Sequence, residues 1–222
     1  MKVTLLNHTP NPEQAIIDSA AVCWKSVPRV GILHHIIKAG HWTPLEFATF
    51  NFRIQGVSRA LSHQLVRKRI AGFCQESQRY VKYENGFDYV TPDTLKGKLF
   101  YISELDESFS FEEMMYSIGC FYRAMLKDES EPPAEDARFV LPNACCTNID
   151  MTINYHALID LCKERLCSRA QWEIRAMAEE LKAKVAEVSP VLAGYLQPKC
   201  YWLKHCPEAK SCGNNQSCDR EG

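Results

Sequence analysis

Two runs in this chain alternate strictly between apolar and polar side chains. Phe50, Phe52 and Ile54 alternate with Asn51 and Arg53, and Cys145, Thr147, Ile149 and Met151 alternate in the same way. A period of two is that of a strand with one face buried, so both runs predict strands. Most of the remaining chain carries the helical period instead. Val3 to Leu6 reads as a further short strand, and Asn11-Pro12-Glu13-Gln14 starts a helix through Trp24, with Asn11 as N-cap and Gln14 closing a capping box. Arg29 to Ala39 is apolar at Val30, Leu33, Ile36 and Ile37, and Gly40 is placed to end that helix. Gly56 breaks the first alternating strand, and Ser58 caps a helix bearing Ala60, Leu61, Leu65 and Val66. Phe111 to Leu126 is a long amphipathic helix, and Glu135 to Phe139 a helical turn. Two long helices close the chain, Thr152 to Leu166 and Ser168 to Val188, the second opened by a Ser168/Gln171 capping box and stopped at Ser189-Pro190. The expected class is α+β, a small central antiparallel or mixed sheet packed by long helices.

At 222 residues the chain suffices for one large core. A formal charge of -1 and a pI near 6.7 disfavour a dedicated nucleic-acid or membrane-surface protein and favour a small anionic ligand. No apolar run approaches the roughly 20 residues that span a bilayer, and Met1 to Leu6 is not followed by a signal-peptide core, so a cytoplasmic location is expected. Cys23, Cys74, Cys120, Cys145, Cys146, Cys162 and Cys167 sit in apolar or helical patterns and read as reduced core thiols.

Against that neutral background, Arg67 to Lys82 holds five Lys or Arg and one acid, Glu76. The motif sits where the helix after Ser58 gives way to a loop. Guanidinium forks there suit a phosphate or carboxylate, with Gln75 and Ser77 able to add neutral hydrogen bonds. Ile70, Ala71, Phe73 and Tyr80 between the charges suggest a partly buried backbone rather than a solvated basic face. Gly40-His41-Trp42-Thr43-Pro44-Leu45-Glu46 gathers an imidazole, a hydroxyl and a carboxylate before a strand, although Thr43 and Glu46 also have capping-box spacing. Arg138 stands at the lip of an apolar strand, where its charge calls for an anion or acid. Asn154, His156, Asp160 and Arg165 share the first closing helix; His156 with Asp160 also reads as an i,i+4 surface pair, and Trp172 as a core anchor.

In this order the pieces resemble the flavin-dependent thymidylate synthases from Gly40 to Glu173. The matching blocks are Gly40-His41 with Thr43, Pro44 and Glu46; Gln64; the frame Arg67-Lys68-Arg69 with Ser77 and Arg79; Ala137-Arg138 with Val140-Leu141-Pro142; and Arg165 with Ala170-Gln171-Trp172-Glu173. The chain departs from the family pattern at Lys68 (for histidine), Gly72 (for serine), Cys74 (for asparagine), Gln75 (for glutamate), His156 (for arginine) and Asp160 (for asparagine or histidine).

The resemblance implies a homotetramer with sites between subunits, converting dUMP to dTMP with bound FAD, NADPH as reductant and methylenetetrahydrofolate as carbon donor. Matched positions imply that His41, Thr43, Glu46, Arg67, Lys68, Arg69, Gln75, Asn154, Tyr155, His156 and Asp160 bind the cofactor. They imply that Gln64, Arg67, Gln75, Glu76, Ser77, Gln78, Arg79, Arg138 and Arg165 bind dUMP. Arg165 would be catalytic, a fixed guanidinium stabilising charge that builds on the pyrimidine. The departures leave open a pyrimidine-nucleotide one-carbon transferase with a different product, or a non-catalytic nucleotide- or RNA-binding protein. The synthase-like domain is expected over 1–198, with 199–222 as a cysteine-containing tail. Cys200, Cys206, Cys212 and Cys218 fall six residues apart, wider than zinc-knuckle spacing, so the tail reads as free thiols on a loosely ordered segment and no metal site is assigned.

Overall fold

The computed structural model describes residues 1–25, 27, 31–127 and 132–213. Four strands form the main sheet in the order β1-β2-β6-β3: β1 Lys2–His8, β2 Thr49–Ser58, β3 Ala71–Gln75 and β6 Cys146–Asn154. Its pairings are antiparallel. The Thr9 amide donates to the Thr49 carbonyl, Arg53 faces Asp150, the Gly56 amide donates to the Asn148 side chain, and the Glu76 amide donates to the Asn148 carbonyl, so numbers rise on one strand as they fall on the next. The α+β class is as expected, with a small antiparallel sheet.

The chain divides into two compact units, Met1–Ile54 with Gln64–Phe73 and Asp150–Gly222, and Gln55–His63 with Cys74–Ile149. In the first, the helices are α1 Pro12–Trp24, α2 Ile32–Lys38, α6 Tyr155–Arg165, α7 Trp172–Ala186, α8 Pro190–Tyr195 and α9 Lys199–Leu203. Phe50, Phe52 and Ile54 of β2 are fully buried, as are Ile16 of α1, Leu158 and Ile159 of α6, and Met177 and Leu181 of α7. The polar alternates of β2 face outward, where Arg53 grips Asp150 with two hydrogen bonds of 2.9 and 2.8 Å. In the second unit, α4 Phe111–Leu126 packs on the hairpin of β4 Leu99–Ile102 and β5 Glu107–Ser110, and α5 is Ala134–Ala137. A small core of Phe87, Met115 and Cys145 forms beside α4, which is opened by a capping box of Ser110 and Glu113. Helix α3, Arg59–Leu65, follows β2 directly, with the Ser58 hydroxyl accepting from the Leu61 amide at 3.0 Å.

Several local expectations need correction. Asn11 is left-handed and makes no side-chain cap; Gln14 donates to Asp18 instead. The helix expected over 29–39 is described from Ile32, and Val30 lies outside the described residues. Gly56 does not end β2 but sits inside it at a positive φ of 64°. Thr152 and Ile153 still belong to β6, so α6 begins only at Tyr155, where the Asn154 side chain caps it. Helix α7 begins at Trp172, because Gln171 itself accepts from the Glu173 and Ile174 amides, and Ser168 is not the cap. Trp172 is 43% exposed and anchors no core. Cys145 and Cys162 are the buried thiols among the seven expected inside; Cys23 and Cys74 are exposed. Among the described residues no helix is long and apolar enough to cross a membrane.

Candidate active site

In the first unit, a chain of polar contacts runs over the outer turns of α6. A short 3-10 turn, Thr43–Phe47, places Glu46 so that His156 Nδ1 lies 3.4 Å from its carboxylate. The other ring nitrogen of His156 is 3.8 Å from Asp160, one helical turn on. Asp160 accepts from Lys163 at 3.0 Å and faces Lys68 at 3.9 Å. Beneath this relay the His156 ring stacks on Trp42, and the Lys163 ammonium stands over Trp42 and Trp202 at 4.7 and 5.0 Å. Trp42, Lys163 and Trp202 are the members that sequence reasoning missed. Trp42 lies inside the quoted motif, but nothing local shows that its ring reaches α6.

The other predicted residues of this unit differ in what they do. Asn154 spends its side-chain oxygen on the Ala157 amide at 2.8 Å, and Tyr155 is fully buried with its hydroxyl donating to the Leu192 carbonyl at 2.7 Å. Burial drives the Tyr155 phenol well above its ordinary range. Both therefore brace the fold. His41 packs edge-on against Trp24, and Thr43 is exposed without a capping role, so its spacing to Glu46 is not a capping box. Gln64 is half-buried at the end of α3. Arg67 and Arg69 follow α3 at the surface, and neither forms an ion pair with the described residues. Arg165 ends α6; its Nη2 lies 3.8 Å from the Glu164 carboxylate, while its Nε is buried without a partner among the described residues. A buried donor left unpaired is costly and suits an incoming acceptor.

The second unit holds the remaining predicted residues. Gln75 ends β3 and donates to Ser62 and Thr147 at 2.9 and 3.2 Å. The Glu76 carboxylate accepts from the Tyr83 hydroxyl at 2.8 Å and from Asn148 at 2.6 Å, while its carbonyl accepts from Arg59 at 2.9 Å. Burial, then that hydrogen bond to Glu76, raises the Tyr83 phenol above its ordinary range. Ser77 accepts from the Arg79 amide in a tight turn, and Gln78 reaches Cys145. Arg79 pairs with Glu135 at 2.8 Å, and Arg138, on a 3-10 turn rather than a strand, donates to the Glu135 carbonyl at 3.1 Å. Arg59, not singled out from sequence, has a buried Nε with no partner. The apolar filling between the charges is not buried as expected: Ile70 is 61% and Tyr80 77% exposed. The segment from Ala71 is a strand, which explains why the charges emerge in order at its two ends.

In the first unit the Trp42 ring is covered by His156 and Lys163, while Arg67 and Arg69 stand exposed, able to meet an anion. In the second, Arg79 is neutralised by the exposed Glu135 carboxylate, while Arg138 and Arg59 donate to backbone carbonyls.

A family model described as Thymidylate synthase complementing protein matches residues 4–191. The chain is 42% identical over 227 residues to the flavin-dependent thymidylate synthase of Geobacter sulfurreducens, across 96% of this chain and 94% of that one. It is 38% identical over 234 residues to the flavin-dependent thymidylate synthase of Clostridium tetani, across 96% and 93%. In fold it is similar to a crystal structure of ThyX from Helicobacter pylori complexed with FAD and dUMP, with a TM-score of 0.66, 20% identity, and coverage of 89% of this chain and 100% of that one.

Proposed function

The chain belongs to the flavin-dependent thymidylate synthase family, and from that premise we propose that it reductively methylates dUMP to dTMP with FAD as its bound cofactor. The carrying observation is that the family match over 4–191 spans every residue given a role below. Methylenetetrahydrofolate donates the carbon and NADPH the reducing equivalents. The working form is a homotetramer with sites between subunits, built from residues 1–198, to which 199–222 is an appended tail.

The residues present fit the cofactor. Arg67 and Arg69 are exposed and carry charge that no described acid neutralises, as a diphosphate-bearing dinucleotide requires. We assign FAD binding to Arg67, Lys68 and Arg69 with His41, Thr43, Glu46, Gln75, Asn154, Tyr155 and His156, with Asp160 beside the flavin. For Asn154 and Tyr155 the side chains brace α6, so any contact with FAD uses their backbone. When bound, the flavin supplies the electrons and hydride that finish the new methyl group.

The chain's own part is positioning and electrostatics. We assign Arg67, Arg79 and Arg138 to dUMP as the cationic groups for its phosphate, and Gln64, Gln75, Glu76, Ser77 and Gln78 as its other contacts. Arg79 is available because its ion pair with Glu135 is exposed and screened by solvent, so a phosphate can take the carboxylate's place. Arg165 stabilises the negative charge that builds at N3 and O4 of the pyrimidine as C5 becomes nucleophilic, and its unpartnered Nε is a donor held ready. No cysteine is required as nucleophile.

The test is spectroscopic and chemical. Purified protein should carry or acquire a flavin absorbance band, dUMP should perturb it, and dTMP should form with methylenetetrahydrofolate and NADPH. Absence of flavin binding, with steeply salt-dependent affinity for oligonucleotides instead, would overturn the reading.

A further inference from the structure

The loop between α6 and α7 and the C-terminal segment line one cavity of about 690 Å³. Four cysteines border it: Cys167 ahead of α7, Cys200 in α9, and Cys206 and Cys212 beyond. They are not a loose tail gathered by chance. Helix α9 packs against α6, the Arg169 guanidinium donates to the Lys210 carbonyl at 2.7 Å, and its Nε lies 3.6 Å from Glu208. The segment carrying Cys206 and Cys212 is thereby tied to the loop carrying Cys167.

Four thiols around one space are a soft donor set that selects zinc or iron–sulfur centres over hard cations. The two differ in size. A single zinc with bonds of about 2.3 Å needs its sulfurs within about 4 Å of one another. Among the described residues no three His, Cys, Asp or Glu stand so as to hold one ion, and the cavity greatly exceeds the volume of one. A multi-iron core instead keeps its four cysteines apart, around itself. Charge agrees: four thiolates make such a centre anionic, and Arg175 and Lys199 border the cavity with no ion pair among the described residues, beside Lys163 and Arg169, which pair with Asp160 and Glu208.

We propose that Cys167, Cys200, Cys206 and Cys212 bind an iron–sulfur cluster in this cavity. The even spacing of the last three, too wide for a zinc knuckle, is no obstacle when ligands surround a cluster. Arg165 borders the same cavity, but the proposal does not rest on the nucleotide reading.

The full chain is purified without oxygen and reconstituted with Fe²⁺ and sulfide, and iron, acid-labile sulfide and zinc are counted per chain. The expected result is about four iron and four sulfide, with a paramagnetic signal after dithionite reduction distinct from that of a flavin. Cys206→Ser and, at its exposed position, Cys212→Ser should each lower cluster content by roughly fivefold or more, while Cys74→Ser leaves it unchanged. Circular dichroism of each variant separates ligand loss from misfolding, and Cys212→Ser decides the matter if Cys206→Ser does not fold. One zinc per chain in place of iron, no metal after reconstitution, or iron content indifferent to both tail variants would overturn the proposal. Because metal counting needs no turnover, its failure is distinguishable from failure to form dTMP.

Discussion

Trp42 and His156 lie ring on ring, with centroids 5.4 Å apart and planes 8° from parallel. The pair joins the 3-10 turn that carries Glu46 to the first turn of α6, and fixes an imidazole between two carboxylates. An aromatic pair of this kind contributes about 0.5–1.5 kcal/mol beyond area burial. Trp42→Ala should therefore lower thermal stability by a few degrees and weaken FAD binding by about tenfold, read by flavin retained after gel filtration. Normal flavin content in this variant would remove Trp42 from the site.

Arg165→Ala should cost on the order of 10²- to 10³-fold in turnover, the loss expected for one preorganised donor, with the circular dichroism spectrum intact. Near-normal rates of dTMP formation would refute the catalytic role.

Arg79 and Glu135 predict opposite effects from two ends of one contact. Arg79→Ala removes a phosphate grip and should raise the KM for dUMP. Glu135→Gln frees the guanidinium and should lower it. A rise in KM in both variants would mean that the pair is structural.

Tyr155→Phe separates support from binding. Removing the hydroxyl leaves the Leu192 carbonyl without its donor, a loss of about 1–3 kcal/mol in unfolding free energy, while flavin affinity should stay within about twofold. Denaturant titration and flavin titration on the same sample decide it.

Asp150 gives a pH signature. The hydrogen bonds from Arg53 hold its carboxyl below the ordinary range, so its contribution is complete above the unfolded value of about 3.9 and is lost as pH falls through the lower folded value. Asp150→Asn should be less stable than the parent at neutral pH, and the gap should close in acid. A gap that persists unchanged in strong acid would rule out the charge as its source.

Residues with a clean local period were legible from the sequence. Phe50, Phe52 and Ile54 alternate and are buried; Pro12 to Trp24 and Phe111 to Leu126 carry helical spacing, and both helices occur with those limits. Strand β3 was not legible because Gly72 and the flanking cations dilute its alternation, and hairpin β4–β5 because four-residue strands leave too few positions to show a period. The start of α6 was misread because Thr152 and Ile153 fit either state, and Asn154 settles it only once its side chain is seen capping. In the site, the order of charged motifs along the chain was readable. The Trp42–His156 stack and the cysteines around one cavity were not, since each joins residues remote in sequence through tertiary packing.

Gly72 comes so close to β6 that an added Cβ would stand 2.7 Å from the Thr152 methyl, and a β-branched side chain has little rotameric freedom to withdraw. The two positions therefore share a single allotment of space, and a side chain at 72 needs room that Thr152 now fills. A hydroxymethyl group at 72 becomes admissible when 152 is trimmed to alanine, so the bulk tolerated beside the cationic motif is set from the neighbouring strand.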